Sequence, residues 1–169
     1  MLFWRMSREN QQIFEKMYSQ CYAMVLQMCL GFMKGDKDLA KDLSQEVFIN
    51  IWNAISGFKG QSTYKTWVYR ITVNTCLQYI RKDKKKNRLS IEKVEHALAD
   101  ESQNTIINED QNLYEAIGKL NELDRLVIMM VLEEQDYDDI AEVIGIKPTN
   151  VRVKIHRIKK RLKKILDHE

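Results

Sequence analysis

Proline is nearly absent from this 169-residue chain: Pro148 stands alone, and glycine occurs only six times. That excludes collagen-like and glycine- or proline-rich low-complexity architectures, and it leaves long helices with few internal breakers. Three cysteines, Cys21, Cys29 and Cys76, show neither metal-ligand nor disulfide spacing. They lie among apolar residues and read as buried thiols of a protein kept in the reducing cytoplasm. No apolar run is long enough to span a bilayer, so membrane insertion is not expected; the richest stretch, Cys21 to Met33, is interrupted by Gln27. The opening Met1-Leu2-Phe3-Trp4-Arg5-Met6 is too short for a secretory signal. Three histidines without metal spacing, no phosphate-binding glycine loop and no nucleophile–base pair argue against an enzyme, a metal site or a cofactor.

What the chain does have is charge in blocks. Residues 1–86 carry fourteen basic and seven acidic side chains, and residues 147–169 carry nine and two. Between them, residues 87–146 carry four basic and fifteen acidic side chains. Two basic zones separated by an acidic middle suggest two anionic contacts, and nucleic acid is the commonest anionic partner. A solvated charged surface would give the same blocks, so the charge alone decides nothing.

Helical periodicity runs through both ends. Phe14, Met17, Tyr18, Cys21, Val25, Met28 and Phe32 recur at three- and four-residue steps and predict a helix from about Arg8 to Phe32. Gly35 and Asp36 read as its stop and the next helix's N-cap. A second helix, about Lys37 to Asn53, places Leu39, Leu43, Val47, Phe48, Ile51 and Trp52 on one face, with Asp38, Lys41, Asp42, Gln45, Glu46 and Asn50 opposite. A loop containing Gly57 and Gly60 follows, and Ser62 or Thr63 can cap a third helix over about Tyr64 to Asp83. Trp67 falls on that helix's apolar line and reads as core; Asn74 falls there too and needs a partner or a function. Residues 89–110 are polar and acidic and read as a linker, with His96 an exposed bystander.

Two short helices then return, one with Leu113, Ile117 and Leu120 and one over about Leu123 to Glu134. Beyond them, Ile140, Ala141 and Ile144 form the inner face of a short helix, Gly145 sits where a tight turn needs positive φ, and Ile146 plugs the turn into the core. Pro148 fits the first turn of a final helix, whose Val151, Ile155, Ile158, Leu162 and Ile165 make one stripe. That is a helix-turn-helix with a basic outer face. Thr149, Asn150, Arg152 and His156 are placed for bases or nearby backbone, and Arg157, Lys160 and Arg161 for phosphates.

A helix-turn-helix by itself says only that the protein binds DNA, and a stand-alone regulator would explain it equally well. The N-terminal half narrows the choice. Asp42-Leu-Ser-Gln-Glu-Val-Phe-Ile-Asn-Ile-Trp52, followed by Phe58-Lys-Gly-Gln-Ser-Thr-Tyr-Lys-Thr-Trp67-Val-Tyr-Arg-Ile71-Thr-Val-Asn74, resembles the second conserved region of the extracytoplasmic-function (ECF) group of bacterial sigma factors. Ala116 to Leu162 resembles their fourth region, in the expected order.

The resemblance implies an all-α chain of two small helical domains, residues 1–88 and 111–169, joined by a flexible acidic linker over 89–110, with the helix-turn-helix in the second. It implies a factor that binds core RNA polymerase through Asp42, Gln45 and Glu46. The loop residues Phe58, Lys59, Gln61, Ser62 and Thr63 would capture an unstacked base of the minus-ten element, with Tyr69, Arg70, Asn74 and Arg81 along the opened strand. The final helix would read an upstream duplex element of promoter DNA. An inhibitory anti-sigma factor, often membrane-bound, is the further implied partner. Two positions depart from the family pattern: Lys41 stands where an acidic residue is usual, and Pro148-Thr149-Asn150 replaces a turn glycine.

Overall fold

A computed structural model describes residues 7–91 and 109–167, with side chains for 7–86 and 111–167. Seven α-helices account for almost all of them: α1 (Arg8–Phe32), α2 (Lys37–Ala54), α3 (Tyr64–Ile91), α4 (Glu109–Gly118), α5 (Glu122–Leu132), α6 (Tyr137–Ile144) and α7 (Pro148–Asp167). A short 3-10 turn, Ile55–Gly57, ends α2. The expected boundaries at 88/89 and 110/111 both fall inside helices, because α3 continues past Asp83 to Ile91 and α4 begins at Glu109. The expected linker is otherwise outside the described residues, as is His96.

The helix ends have local causes. Ser7 caps α1 by accepting from the Asn10 N–H at 3.2 Å. At the other end of α1, the Gly35 N–H reaches back to the Leu30 carbonyl with φ at 87°, a left-handed stop. Asp36 Oδ1 then accepts from the Asp38 and Leu39 N–H groups and starts α2. Of the two possible caps for α3 it is Thr63 that serves, accepting from the Thr66 N–H at 3.1 Å.

Helix α1 lies at the centre. It packs against α2 and α3 on one side and against α4 and α5 on the other. Met24 and Cys29 are therefore buried as well as the expected stripe of Met17, Cys21, Val25, Met28 and Phe32. Helix α5 is wrapped more completely: Leu126, Val127, Ile128, Met129 and Met130 are consecutive and all buried, since α1 covers one flank and α7 the other. Two residues expected in the core are not there. Tyr18 and Leu39 are exposed, each lying at the edge of its helix's buried arc.

The two halves thus share one continuous core. Gly31 makes the approach of α5 to α1 possible, because a Cβ at that position would lie 2.2 Å from Met129 Sδ. Arg125, almost fully buried, donates from Nε to the Leu120 carbonyl at 2.9 Å and from Nη1 to the Phe32 carbonyl at 3.2 Å. The guanidinium so ties the segment leading into α5 to the C-terminus of α1, where a cation is favoured by the helix dipole. Burial in turn draws its pKa down from the ordinary arginine value.

All three cysteines are buried and unbridged. Burial pushes the Cys21 thiol up, and Cys76 is raised well above its usual value by its hydrogen bond to Cys29 and by burial. Thiolate is the reactive form and burial keeps a reagent from all three sulfurs, so no thiol of the folded chain should react with a disulfide reagent at pH 8 before the chain opens. All three should titrate rapidly in guanidinium. A burst of one thiol equivalent in native buffer would contradict the packing.

Candidate nucleic-acid interface

The turn between α6 and α7 has the geometry that a helix-turn-helix requires. Gly145 takes φ 74° and ψ 33°, and its N–H and that of Ile146 both return to the Ala141 carbonyl. A side chain at that φ would be strained, so glycine sets the crossing of the two helices. Pro148 is the first residue of α7, where no backbone donor is lost. Val151, Ile155 and Ile158 are buried against α4 and α5, and Ile140 and Ala141 complete the same core.

That stripe turns the basic arc outward. Thr149, Asn150, Arg152, His156, Arg157, Lys160 and Arg161 are all exposed. Five of them line two clefts. Asn150, Arg157 and Arg161 line one open cleft of about 560 Å³ with Val153. Thr149 and Arg152 line another, of about 620 Å³, opposite Asp136, Asp138 and Asp139. Acidic neighbours repel phosphate, so Arg152 favours base edges over backbone, while Arg157 and Arg161, in a cleft whose one acid, Asp124, is paired with Lys154, are suited to phosphate. Lys154, on the same helix, is drawn off this surface into an ion pair with Asp124 at 2.5 Å.

The second expected surface is less uniform. Phe58 is half-buried, packed on Tyr64 and Trp67 with ring centroids 4.8 and 5.2 Å apart. It anchors the loop, and Trp67 belongs to that aromatic cluster. Lys59 and Gln61 are exposed, Ser62 is half-buried, and Gly60 takes φ 68° with open space around it. Thr63 is exposed, but its hydroxyl already caps α3 and contacts the Thr66 hydroxyl at 2.8 Å. Along α3, Asn74 and Arg81 are exposed. Tyr69 is the correction here: it is 1 % exposed, inside the core, with burial raising its hydroxyl pKa. It cannot meet a DNA strand in this arrangement. Arg70 is half-exposed and held by α6, donating from Nη2 to Glu142 Oε1 at 2.8 Å and from Nε to the Glu142 carbonyl at 3.3 Å.

The α2 surface carries Asp42 and Gln45, both exposed, and Glu46, half-buried and 3.5 Å from Lys82 Nζ. Beside them runs an open groove of about 640 Å³ lined by Phe14, Tyr18, Tyr22, Gln45, Phe48, Ile49 and Trp52. Ile49 and Tyr18 are exposed apolar side chains adjoining the three polar residues. Helical periodicity absorbs Tyr18 into the core stripe, and the run Val47-Phe48-Ile49, longer than one buried face of a helix needs, is the available sign of a mixed surface.

The chain matches the family model of sigma-70 region 2 over residues 17–86 and that of sigma-70 region 4 over residues 110–162. It is 27% identical over 162 residues to RNA polymerase sigma factor YlaC of Bacillus subtilis (strain 168), covering 92% of this chain and 93% of that one. It is likewise 27% identical over 165 residues to ECF RNA polymerase sigma factor SigW of the same organism, covering 90% and 83%. Among solved structures, the sigma factor RpoE in complex with the anti-sigma factor NepR from Bartonella quintana has a similar fold, with a TM-score of 0.75 at 19% identity over 92% of this chain and 98% of that one. CnrH in complex with the cytosolic domain of CnrY follows at a TM-score of 0.68 and 20% identity, over 94% and 90%.

Proposed function

The chain belongs to the sigma-70 family, as an ECF sigma factor directing promoter-specific initiation by RNA polymerase, and from that premise we propose how its surfaces divide the work. The observation that carries the proposal is the ordered pair of regions 2 and 4 on one chain, the second ending in an exposed basic recognition helix. Region 4 is the DNA-binding part, and Thr149, Asn150, Arg152 and His156 read the upstream duplex while Arg157, Lys160 and Arg161 hold its backbone. The loop at 58–63, with Asn74, Arg81 and, once it is free of Glu142, Arg70, takes the opened minus-ten strand. Asp42, Gln45 and Glu46, with the apolar groove beside them, form the seat for core polymerase. The factor works in the cytoplasm without a catalytic centre of its own, and an anti-sigma factor restrains it, as NepR and CnrY are found on the two similar structures.

Transcription in vitro with purified core polymerase tests the reading: the chain alone should confer specific initiation. No helix among the described residues is long and apolar enough to cross a membrane, so the assay needs no lipid. The division of α7 has its own test. Arg152→Ala should cost about 1–3 kcal/mol at particular upstream base pairs. Lys160→Ala should weaken all sequences evenly and lower the salt slope by about one. Equal losses on every upstream sequence for both variants would remove the distinction between base-reading and phosphate-holding residues.

A further inference from the structure

One basic side chain of α7 is turned away from the outer arc. Every other arginine and lysine of that helix is exposed, whereas Lys154 is half-buried. Its place in the sequence is nonetheless on the side suited to phosphate. Asn150, Lys154, Arg157 and Arg161 follow one another at four-, three- and four-residue steps, so they form one ridge along α7. All four border the open cleft of about 560 Å³.

The carboxylate that holds Lys154 is itself fixed. Asp124 lies in the first turn of α5, and its side chain is only 13 % exposed. Asn121, the N-cap of that helix, accepts from the Asp124 N–H at 2.9 Å and donates its side-chain amide to Asp124 Oδ2 at 2.7 Å. These two bonds set the carboxylate and leave Oδ1 to α7. No hydrogen-bond donor is aligned on Oδ1 among the described residues, and the charge that compensates it is the Lys154 ammonium. A buried carboxylate without a counter-charge is strongly disfavoured, so Asp124 keeps its partner in the folded chain. The ammonium has the freer end of the pair. It is 28 % exposed, at the rim of an open cleft, on a flexible aliphatic stem that reaches toward solvent.

A cation on a helix in the major groove strengthens binding by releasing a counterion from the phosphates, and it does so for any sequence. Lys154 makes no such contribution while Asp124 cancels its charge. We propose that Asp124 is a positioning residue for upstream-element recognition: it withholds Lys154 from the duplex backbone and so limits the sequence-independent part of the affinity. The side chains that meet base edges then carry a larger share of the binding. The inference rests on the role of α7 proposed above.

The test needs no promoter. The full chain is titrated with a labelled mixed-sequence duplex of about 20 base pairs, from about 50 to about 200 mM salt. In Asp124→Asn the new amide can keep its bond to Asn121, and Lys154 is released. Binding should tighten about ten-fold at the low end, and the salt slope should steepen by about one, so that about three-fold of the gain is lost across the range. Adding Lys154→Met should return both to wild type. A merely structural Asp124 would give the opposite sign: a loosened α7 loses contacts without gaining a free charge, so binding would weaken at an unchanged or shallower slope. Lys154→Met alone serves if Asp124→Asn fails to fold. It should leave the slope unchanged, whereas Arg157→Met should lower it by about one. A slope that Asp124→Asn does not steepen, in a chain with an intact helical spectrum, overturns the proposal, as does a drop of about one in Lys154→Met. Run-off transcription with core polymerase separates the two levels. Specific initiation by wild type with an unsteepened slope in Asp124→Asn refutes the role of Asp124 alone, whereas no specific initiation by wild type refutes the function on which it rests.

Discussion

Replacing Asp42 and Glu46 together by lysine should remove association with core polymerase while leaving a folded, helical protein. A surface that accepts these two carboxylates must offer positive charge or donors, and bringing like charges together across an interface costs several kcal/mol. About 3 kcal/mol is already roughly a hundred-fold in affinity. The fold should survive because Asp42 is exposed, and because the one ion pair disturbed, Glu46–Lys82 at 3.5 Å, has both side chains well open to solvent. Such pairs contribute at most about 1 kcal/mol. Competition against wild type for core polymerase, read beside circular dichroism, measures both halves of the expectation. Binding at wild-type strength with an intact helical spectrum would sink the assignment of α2 as the docking face. Ile49→Asp provides an independent probe of the adjoining groove, since Ile49 is 58 % exposed and its replacement leaves no cavity behind.

Gln61→Ala with Ser62→Ala should impair promoter opening and spare upstream binding. A base pulled from the duplex loses its stacking, and the loop must return a few kcal/mol. Each polar contact removed is worth about 0.5–1.5 kcal/mol, so the double variant should open promoters roughly ten-fold less well. The structure explains why the loop can be altered without collapse. Phe58, packed on Tyr64 and Trp67, pins its start, and the Thr63 cap of α3 pins its end. Gly60 supplies the left-handed turn between them. Permanganate reactivity of unpaired thymines should fall in the variant, and a pre-melted template should restore most initiation. Wild-type reactivity would leave Gly57 and Gly60 as ordinary punctuation between α2 and α3.

Both predictions stand on residues legible in the sequence, and the elements that carry them are set by local rules. Asp36, Gly145 and Pro148 act through the backbone of their own turn, and an amphipathic stripe is a property of one helix. Rules of this kind are complete within a few residues, which is why the starts of α1 and α2, the Gly145 turn and the exposed arc of α7 follow from sequence. Where a helix meets more than one neighbour, periodicity says less. The apolar run Leu126–Met130 exceeds what one face needs, a sign that α5 is covered on several sides, but it does not say by what. Periodicity misplaces Tyr18 and Leu39, and the resemblance misplaces Tyr69, for the same reason: a side chain at the edge of a stripe is buried or exposed according to what lies across from it, and that neighbour comes from elsewhere in the chain.

The all-α class, the order of the two regions and the chemistry of the reading helix are therefore determined by the sequence itself, since each depends on residues within one turn or one helix of each other. The closure of the two halves is decided only by tertiary structure. Arg125 meets the Phe32 carbonyl across 93 positions, Arg70 meets Glu142 across 72, and Met129 needs the missing side chain of Gly31 to approach α1. A lone arginine, a surface glutamate and a helix glycine carry no periodic signal. Their partnership arises from complementary shape between surfaces that the chain brings together only when it folds, and it is this partnership that holds Arg70 against α6 while the outer arc of α7 stays open.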